Sequence, residues 1–429
     1  MRFSRFVLPG IIAVVTWTSS NLQWGGDNWR NIIEADAKGY YAYLPALFIY
    51  RDIHFGFHDS VEARYADENT RYEYRTQHNG QVINKYYLGT AIAQLPFFAC
   101  AHLASKAAGY PADGYSKLYP VFINAGAIVF LLIGLVYVRN LLRSFKVSDP
   151  LIAFLLIALV FGTNLFYYAV CEPGLSHVYS FTFISMFVYR ARKFFITQHS
   201  KEIIYCSLLL GVIFLIRPVN FLIVLSLPFL AGSAQQLKAG FRAALHKKAS
   251  LAGILGLTVL GSLQFMMYKA QCGDFFVYSY GEERFNWRHP HPIDFLFSYK
   301  KGFFLYTPLA FISLAGFLYL WKRNRFSFYS LALFFTVLIY VLSAWWNWWY
   351  GGSFGSRVMI DYLVFIALLL AFAYKQFEAR ISKAVLTVTI VLTVLLCQFQ
   401  TYQYRYHLIH WEDMSKEKYW EVFLRMPQS

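Results

Sequence analysis

The residues able to do chemistry fall in a few short clusters. NIIEADAKGYYAYLPALF (31–48) sets Glu34 and Asp36 two residues apart, followed by Gly39 and the tyrosines Tyr40, Tyr41 and Tyr43. A carboxylate placed there can take a proton from a hydroxyl. Asp36 can equally cap the short helix that follows it. NLFYYAVCEPGLSHVYSF (164–181) puts Glu172 and His177 on either side of a Pro-Gly turn. Glu172 can orient an acceptor, assist Asp36 or bind a cation; a polar turn with a hydrogen-bonded histidine fits the same pattern. Carboxylate and imidazole suit several divalent metals, but two residues are not a site. A divalent ion stays open, and no ligands or other cofactor are assigned.

A third group is cationic. Lys85 and Tyr86 stand in NKYYLG, Arg217 in IRPVN, Lys300 and Lys301 in SYKKGFFLYTP, and Arg357 closes WWNWWYGGSFGSR. A cation beside a helix N-terminus makes a receptor for phosphate, and Gly351, Gly352 and Gly355 allow a ligand close to the backbone. Cations can instead snorkel to lipid headgroups, the preferred reading for Lys300. Arg217 and Arg357 sit where helices break, which points to function. The block Trp345, Trp346, Trp348, Trp349 and Tyr350 suits a membrane interface. Five rings around Asn347, ahead of glycines and an arginine, exceed what a belt requires. Aromatic faces also pack on sugar rings and isoprenoid chains.

These clusters must be held by something apolar. The chain has 429 residues, of which 58% are hydrophobic, 20% aromatic and only 14% charged. Soluble domains carry about 25% charged residues. Apolar runs recur at 6–22, 118–138, 151–170, 176–189, 203–216, 219–233, 250–268, 303–320, 327–344, 357–374 and 384–400. They predict an all-α polytopic membrane protein of about eleven transmembrane helices. The net charge of +16 does not imply nucleic acid, because the cations alternate. Arg2 and Arg5, then Arg139, Arg143 and Lys146, then Arg190, Arg192, Lys193 and Lys201 occupy every second connection. So do Lys238, Arg242, Lys247 and Lys248, then Lys322, Arg323 and Arg325, then Lys375, Arg380 and Lys383. This is the positive-inside pattern, and it sets the N-terminus in the cytoplasm.

By that parity the outer face receives the long first loop 23–117, the turn at 171–175, the break at Arg217-Pro218, the loop 269–302, the block 345–356 and the tail 401–429. Residues 1–400 then form one transmembrane domain. The first span has the basic start of a signal peptide but no obvious cleavage site, so it reads as an anchor. The run 86–104 is long enough to span, but Gly89, Gln94, Pro96 and His102 interrupt it; it reads as a helix along the outer interface. The five cysteines show no CxxC spacing. Cys171 and Cys272 share the outer side and can pair there, or stay as small apolar residues. No Walker loop, GxGxxG or HExxH occurs, and no repeat of inverted halves favours a secondary transporter.

The order of these features resembles the GT-C superfamily of integral-membrane glycosyltransferases, near the protein O-mannosyltransferase and aminoarabinose-transferase branch. EADAKGYYAYLPALF resembles that family's first-loop acidic motif, which implies Asp36 as the base. NKYYLGTAIAQLPFF resembles its juxtamembrane segment. GTNLFYYAVCEPGLSHVYSF, IRPVN, KKGFFLYTP and WWNWWYGGSFGSR resemble segments of bacterial members. The second outer loop departs from the family pattern, offering Glu172 in place of an Asp-rich motif. The resemblance implies an inverting transfer of a sugar from a polyprenyl-phosphate donor to a lipid, glycan or protein acceptor. Asp36 and Glu172 would be catalytic. Glu34, Tyr40, Lys85, Tyr86, His177, Arg217, Lys301, Trp348, Trp349, Gly352 and Arg357 would bind substrate. The site would face the periplasm from a bacterial inner membrane, in cell-envelope glycan synthesis. The competing expectation is a transporter or flippase of lipid-linked sugars, which needs the cavity and no base.

Overall fold

The computed structural model describes residues 3–67, 70–245 and 247–426; Arg2 lies outside them. Helices dominate. The one sheet among the described residues is an antiparallel ribbon, Arg75–His78 on Gln81–Asn84. Its turn is Asn79-Gly80 with φ 51° and 73°, the left-handed pair that a two-residue hairpin needs.

Among the described residues, six helical stretches are long and apolar enough to cross a bilayer: Phe3–Gln23, Leu118–Ser144, Lys248–Cys272, Arg325–Ser343, Arg357–Gln376 and Arg380–Arg405. Pro218–Ala231 and Ala234–Leu245, bent by 119°, make a seventh if taken as one span. The protein is thus an integral membrane protein of the all-α class. The other expected spans are charged, short or broken. His177–Thr197 carries Arg190, Arg192 and Lys193 within its length, and Ser200–Ile216 has 17 residues. The run 151–170 divides at Gly162 into Asp149–Phe161 and Leu165–Val170. The run 303–320 becomes Phe303–Tyr306, Pro308–Ser313 and Ala315–Arg323. Pro308 explains the first of those breaks, since it lacks an N–H and pushes Thr307 out of the helical region. Arg357–Gln376 is buried nearly throughout, packed among Ala315–Arg323, Asp149–Phe161, Leu118–Ser144 and His177–Thr197.

The two ends of the bundle differ as the charge alternation requires. At one end the basic connections meet one another. Ser4 Oγ and Arg143 bond Asp149 at 2.7 and 2.6 Å. Arg190 and Lys193 share Glu202 at 3.1 and 2.9 Å, Lys375 donates to Phe145 O at 2.7 Å, and Asn324 Nδ2 donates to Gly232 O at 2.8 Å. The opposite connections gather around a cavity at the other end.

Gly89–Ala107 stays at the cavity end. Gly89 packs on Leu215 and Ile216, the last turn of Ser200–Ile216. His102 Nδ1 lies 2.6 Å from the hydroxyl of Tyr119, in the first turn of Leu118–Ser144. Both neighbours are the cavity-side ends of their helices, so this helix lies across the end of the bundle instead of traversing it, as its polar residues predict. Cys171 and Cys272 are both free, in line with the reading of them as unpaired small residues.

A Cβ at Gly89 would lie 2.2 Å from the Leu215 carbonyl carbon, a backbone atom that cannot swing aside. We expect Gly89→Ala to cost about 1–3 kcal/mol and to lower the unfolding temperature in detergent. Gly261→Ala, whose nearest neighbour is 3.9 Å away, should leave that temperature unchanged or raise it. Equal behaviour of the two variants would show that this close packing is absent.

Candidate active site

Asp36 opens the helix Asp36–Pro45. The preceding Ala35 has φ 47° and ψ −129°, a region that costs an L-residue about 1–3 kcal/mol and persists only where surroundings impose it. The Asp36 carboxylate bonds side chains and not the N–H groups of its own helix. Its Oδ1 accepts from the hydroxyls of Tyr86 at 2.7 Å and Tyr72 at 2.9 Å, and its Oδ2 from Arg357 Nη2 at 2.8 Å. The two tyrosine hydroxyls also touch each other. The helix cap is therefore not its role here.

Gly39 explains how Tyr86 arrives. A Cβ there would sit 2.2 Å from Tyr86 Cδ2, so the ring crosses the helix only because the side chain is missing. Tyr43 donates to Tyr86 O at 2.7 Å and Asn84 Nδ2 to Gly39 O at 2.8 Å, which fixes the crossing. Arg357 begins a 3-10 turn, Arg357–Tyr362, that leads into the central helix. Arg217 ends Ser200–Ile216 in extended backbone, as Pro218 after it demands.

These residues line a cavity of about 1090 Å³. Glu34, Asp36, Tyr40, Lys85, Tyr86, His177, Arg217, Gly352 and Arg357 all face it, together with Trp345, Trp346 and Tyr350 of the aromatic block. Such a volume takes a large ligand, and the wall mixes apolar surface with a few directed polar groups. Lys85 is paired with Glu283 at 2.6 Å and Arg357 with Asp36. Glu34 and Thr70 also line a second cavity of about 240 Å³ within the first loop.

Four expected site residues are not on this wall. Trp348 stacks on His291. Trp349 donates to Glu412 at 3.2 Å and lies under Lys300 Nζ, 3.7 Å from its ring centre; Lys300 thus sits on protein instead of reaching for headgroups. Lys301 is 2% exposed and donates to the carbonyls of Ser353 and Trp411, tying the glycine segment to the C-terminal tail. Glu172 lies behind the wall, within the fields of Arg357, Asp36 and Glu34.

The sequence reading missed Tyr72, Tyr280, Glu283, Tyr404 and Trp411, which line the cavity. It also missed Asn220 and Asp361, buried beneath it. Asp361 alone had a signal, being an acid inside the apolar run 357–374.

The carboxylates differ sharply. Burial works against the charge on Asp36, but Arg357, the Tyr86 and Tyr72 hydroxyls and Lys85 bring it down to about 2. Burial lifts Glu172 to about 7 in spite of Arg357 and Tyr167. Burial also raises Glu34, against the pull of Lys38. Among the described residues no three His, Cys, Asp or Glu side chains come together as metal ligands.

No family model matches the sequence, and no curated protein matches it. Among solved structures the chain is similar to the oligosaccharyltransferase of Archaeoglobus fulgidus in its apo form. The TM-score is 0.46 at 12% identity, over 98% of this chain and 60% of that one. It is also similar to the archaeal oligosaccharyltransferase AglB from the same organism, in complex with an inhibitory peptide and a dolichol-phosphate. There the TM-score is 0.48 at 12% identity, over 98% and 58%. The chain thus spans about 60% of the length of those proteins.

Burial pushes Lys301 down to about 7, against the pull of Glu172 and Glu412. In the unfolded chain a lysine titrates near 10.4. Between those values the unfolded state binds more protons, so this group makes stability rise with pH. We expect wild-type unfolding temperature to climb between pH 7 and 9.5 relative to Lys301→Met. Parallel pH profiles for the two proteins would remove the buried charge from the account.

Proposed function

We propose that this protein is a glycosyltransferase of the GT-C type. It moves a sugar from a polyprenyl-phosphate donor to a hydroxyl of a lipid, glycan or protein acceptor, with inversion. The site faces the outer side of the membrane, the periplasm of a bacterial inner membrane. One observation carries the reading: an ionised Asp36, held by Arg357 and two tyrosines, stands on the wall of a large cavity that also holds further cations and aromatic faces. A carboxylate for the acceptor, cations for a phosphate and apolar surface for a polyprenyl chain are the three things this reaction needs. The sequence motifs that resemble the GT-C enzymes contribute those same residues.

In this mechanism the acceptor oxygen attacks the anomeric carbon, the bond from that carbon to the phosphate oxygen breaks, and Asp36 receives the hydroxyl proton. A carboxylate near 2 is a weak base in the empty cavity. It becomes stronger as Arg357 transfers its hydrogen bonding from Asp36 to the departing phosphate. That exchange is largest in the transition state, where phosphate charge develops, so it lowers the barrier without over-stabilising the bound donor. Glu172, poised near neutrality and coupled to the same arginine, compensates the charge that Arg357 carries during the exchange. Lys85 and Arg217 complete the field at the phosphate.

Cells lacking the native gene, complemented with wild type or Asp36→Asn at matched protein levels, test this. Mass spectrometry of polyprenyl-phosphate sugars and of surface glycans should show one lipid-linked sugar accumulating in the variant. One glycan should lack that sugar. A loss of general base catalysis is worth about 10²–10⁴-fold in rate. Identical profiles, with a phenotype still following loss of the gene, would remove Asp36 as a base and favour a transporter of lipid-linked sugars.

A further inference from the structure

Beneath the cavity lies a buried polar cluster that the mechanism above does not use. Asp361 is 0% exposed, on the 3-10 turn that starts at Arg357. Its Oδ1 lies 2.9 Å from His177 Nδ1, and its Oδ2 accepts from Asn220 Nδ2 at 2.7 Å. The hydroxyl of Tyr362 donates to Asn220 Oδ1 at 2.9 Å, which turns the amide so that its NH₂ faces the carboxylate. A carboxylate only accepts, so His177 Nδ1 carries its proton towards Asp361.

The consequence falls on Arg217. Its Nη1 is 3.2 Å from that same protonated Nδ1, which cannot accept from it, and 3.8 Å from Asp361 Oδ2. At 3.8 Å the carboxylate compensates the charge without taking a hydrogen bond. The other cavity cations are placed differently. Arg357 is committed to Asp36 at 2.8 Å, Lys85 to Glu283 at 2.6 Å, and Arg71 is exposed. Arg217 combines a half-buried side chain, a place on the cavity wall and a fork of donors that its own counter-ion leaves unused. A planar fork of this kind matches a phosphate.

We propose that Arg217 is the ground-state seat of the donor's phosphate. His177 and Asn220 are positioning residues that hold Asp361 back from it, so that the arginine is charged, fixed and open to the ligand. The proposal rests on the polyprenyl-phosphate reading above and adds to it the residue that receives the phosphate and the device that keeps it receptive. Released from Asn220, the Asp361 carboxylate would close the gap to Arg217 and compete with the phosphate.

The test uses the purified full chain in detergent, with farnesyl phosphate and farnesol as probes. Arg217→Gln should weaken farnesyl phosphate roughly tenfold or more and leave farnesol unchanged. Asn220→Ala should weaken farnesyl phosphate about three- to tenfold, in line with one charge-assisted hydrogen bond. Tyr362→Phe should do the same to a smaller extent. Asp361→Asn added to Asn220→Ala should restore affinity to within about twofold of wild type, because the competitor has lost its charge. A purely structural role for Asn220 would lower both probes together and give no such rescue. If the double variant does not fold, Asn220→Ala and Tyr362→Phe with the two probes still decide the matter. Unchanged phosphate affinity in both, or no rescue in a folded double variant, overturns this proposal alone. A wild-type chain that binds farnesyl phosphate no better than farnesol overturns the donor assignment and this proposal with it.

Discussion

The pairing of Asp36 with Arg357 joins positions 321 residues apart in the chain, and the cavity is built around it. Each charge would be costly in a largely buried position by itself. Removing one partner of such a pair is more damaging than replacing both. The pair is therefore an assembly condition. The first loop must fold back over the bundle, and the 3-10 turn must reach the cavity, before either charge is compensated. Tyr72 and Tyr86 add the hydroxyls that fill Oδ1, and the missing side chain at Gly39 lets Tyr86 approach. The same contacts hold the carboxylate ionised, so the arrangement that makes the fold specific also sets the protonation state of the site.

Charge is sorted between the ends of the molecule. At the basic end Glu202 serves two cations, Arg190 and Lys193, and Asp149 serves Arg143 and the hydroxyl of Ser4. These contacts staple the connections of the bundle to one another. At the cavity end the pairs run between distant segments, as Lys85 with Glu283 and Asp36 with Arg357 do. Pairs at the basic end bridge one connection to another, whereas pairs bordering a cavity can exchange a partner for a ligand. That difference is what makes one end suited to chemistry.

The aromatic block divides its work. Trp345, Trp346 and Tyr350 face the cavity. Trp348 and Trp349 turn to His291, Lys300 and Glu412 and fasten the loop 269–302 and the tail to the segment. Lys301 closes the same junction from below through two backbone carbonyls. A run of rings alternating between ligand surface and clamp gives a wall that is apolar and also fixed in place.

Much was legible in the sequence, because it depends on local composition. Apolar runs showed a membrane-embedded helical bundle, since a bilayer core admits little else. Alternating cations showed which connections share an end, since that follows from charge alone. The clusters around Asp36, Arg217 and Arg357 stood out because acids and arginines at helix breaks are rare in such a chain. Tertiary structure alone decided that Asp36 is paired instead of capping its helix, and that Trp348, Trp349, Lys301 and Glu172 sit off the cavity wall. It alone brought Tyr72 to Asp36, and Asp361, Asn220 and His177 under Arg217. Periodicity and spacing report a residue's neighbours along the chain. Which oxygen meets which guanidinium across hundreds of residues is fixed only when the helices pack and each buried charge has to find its partner.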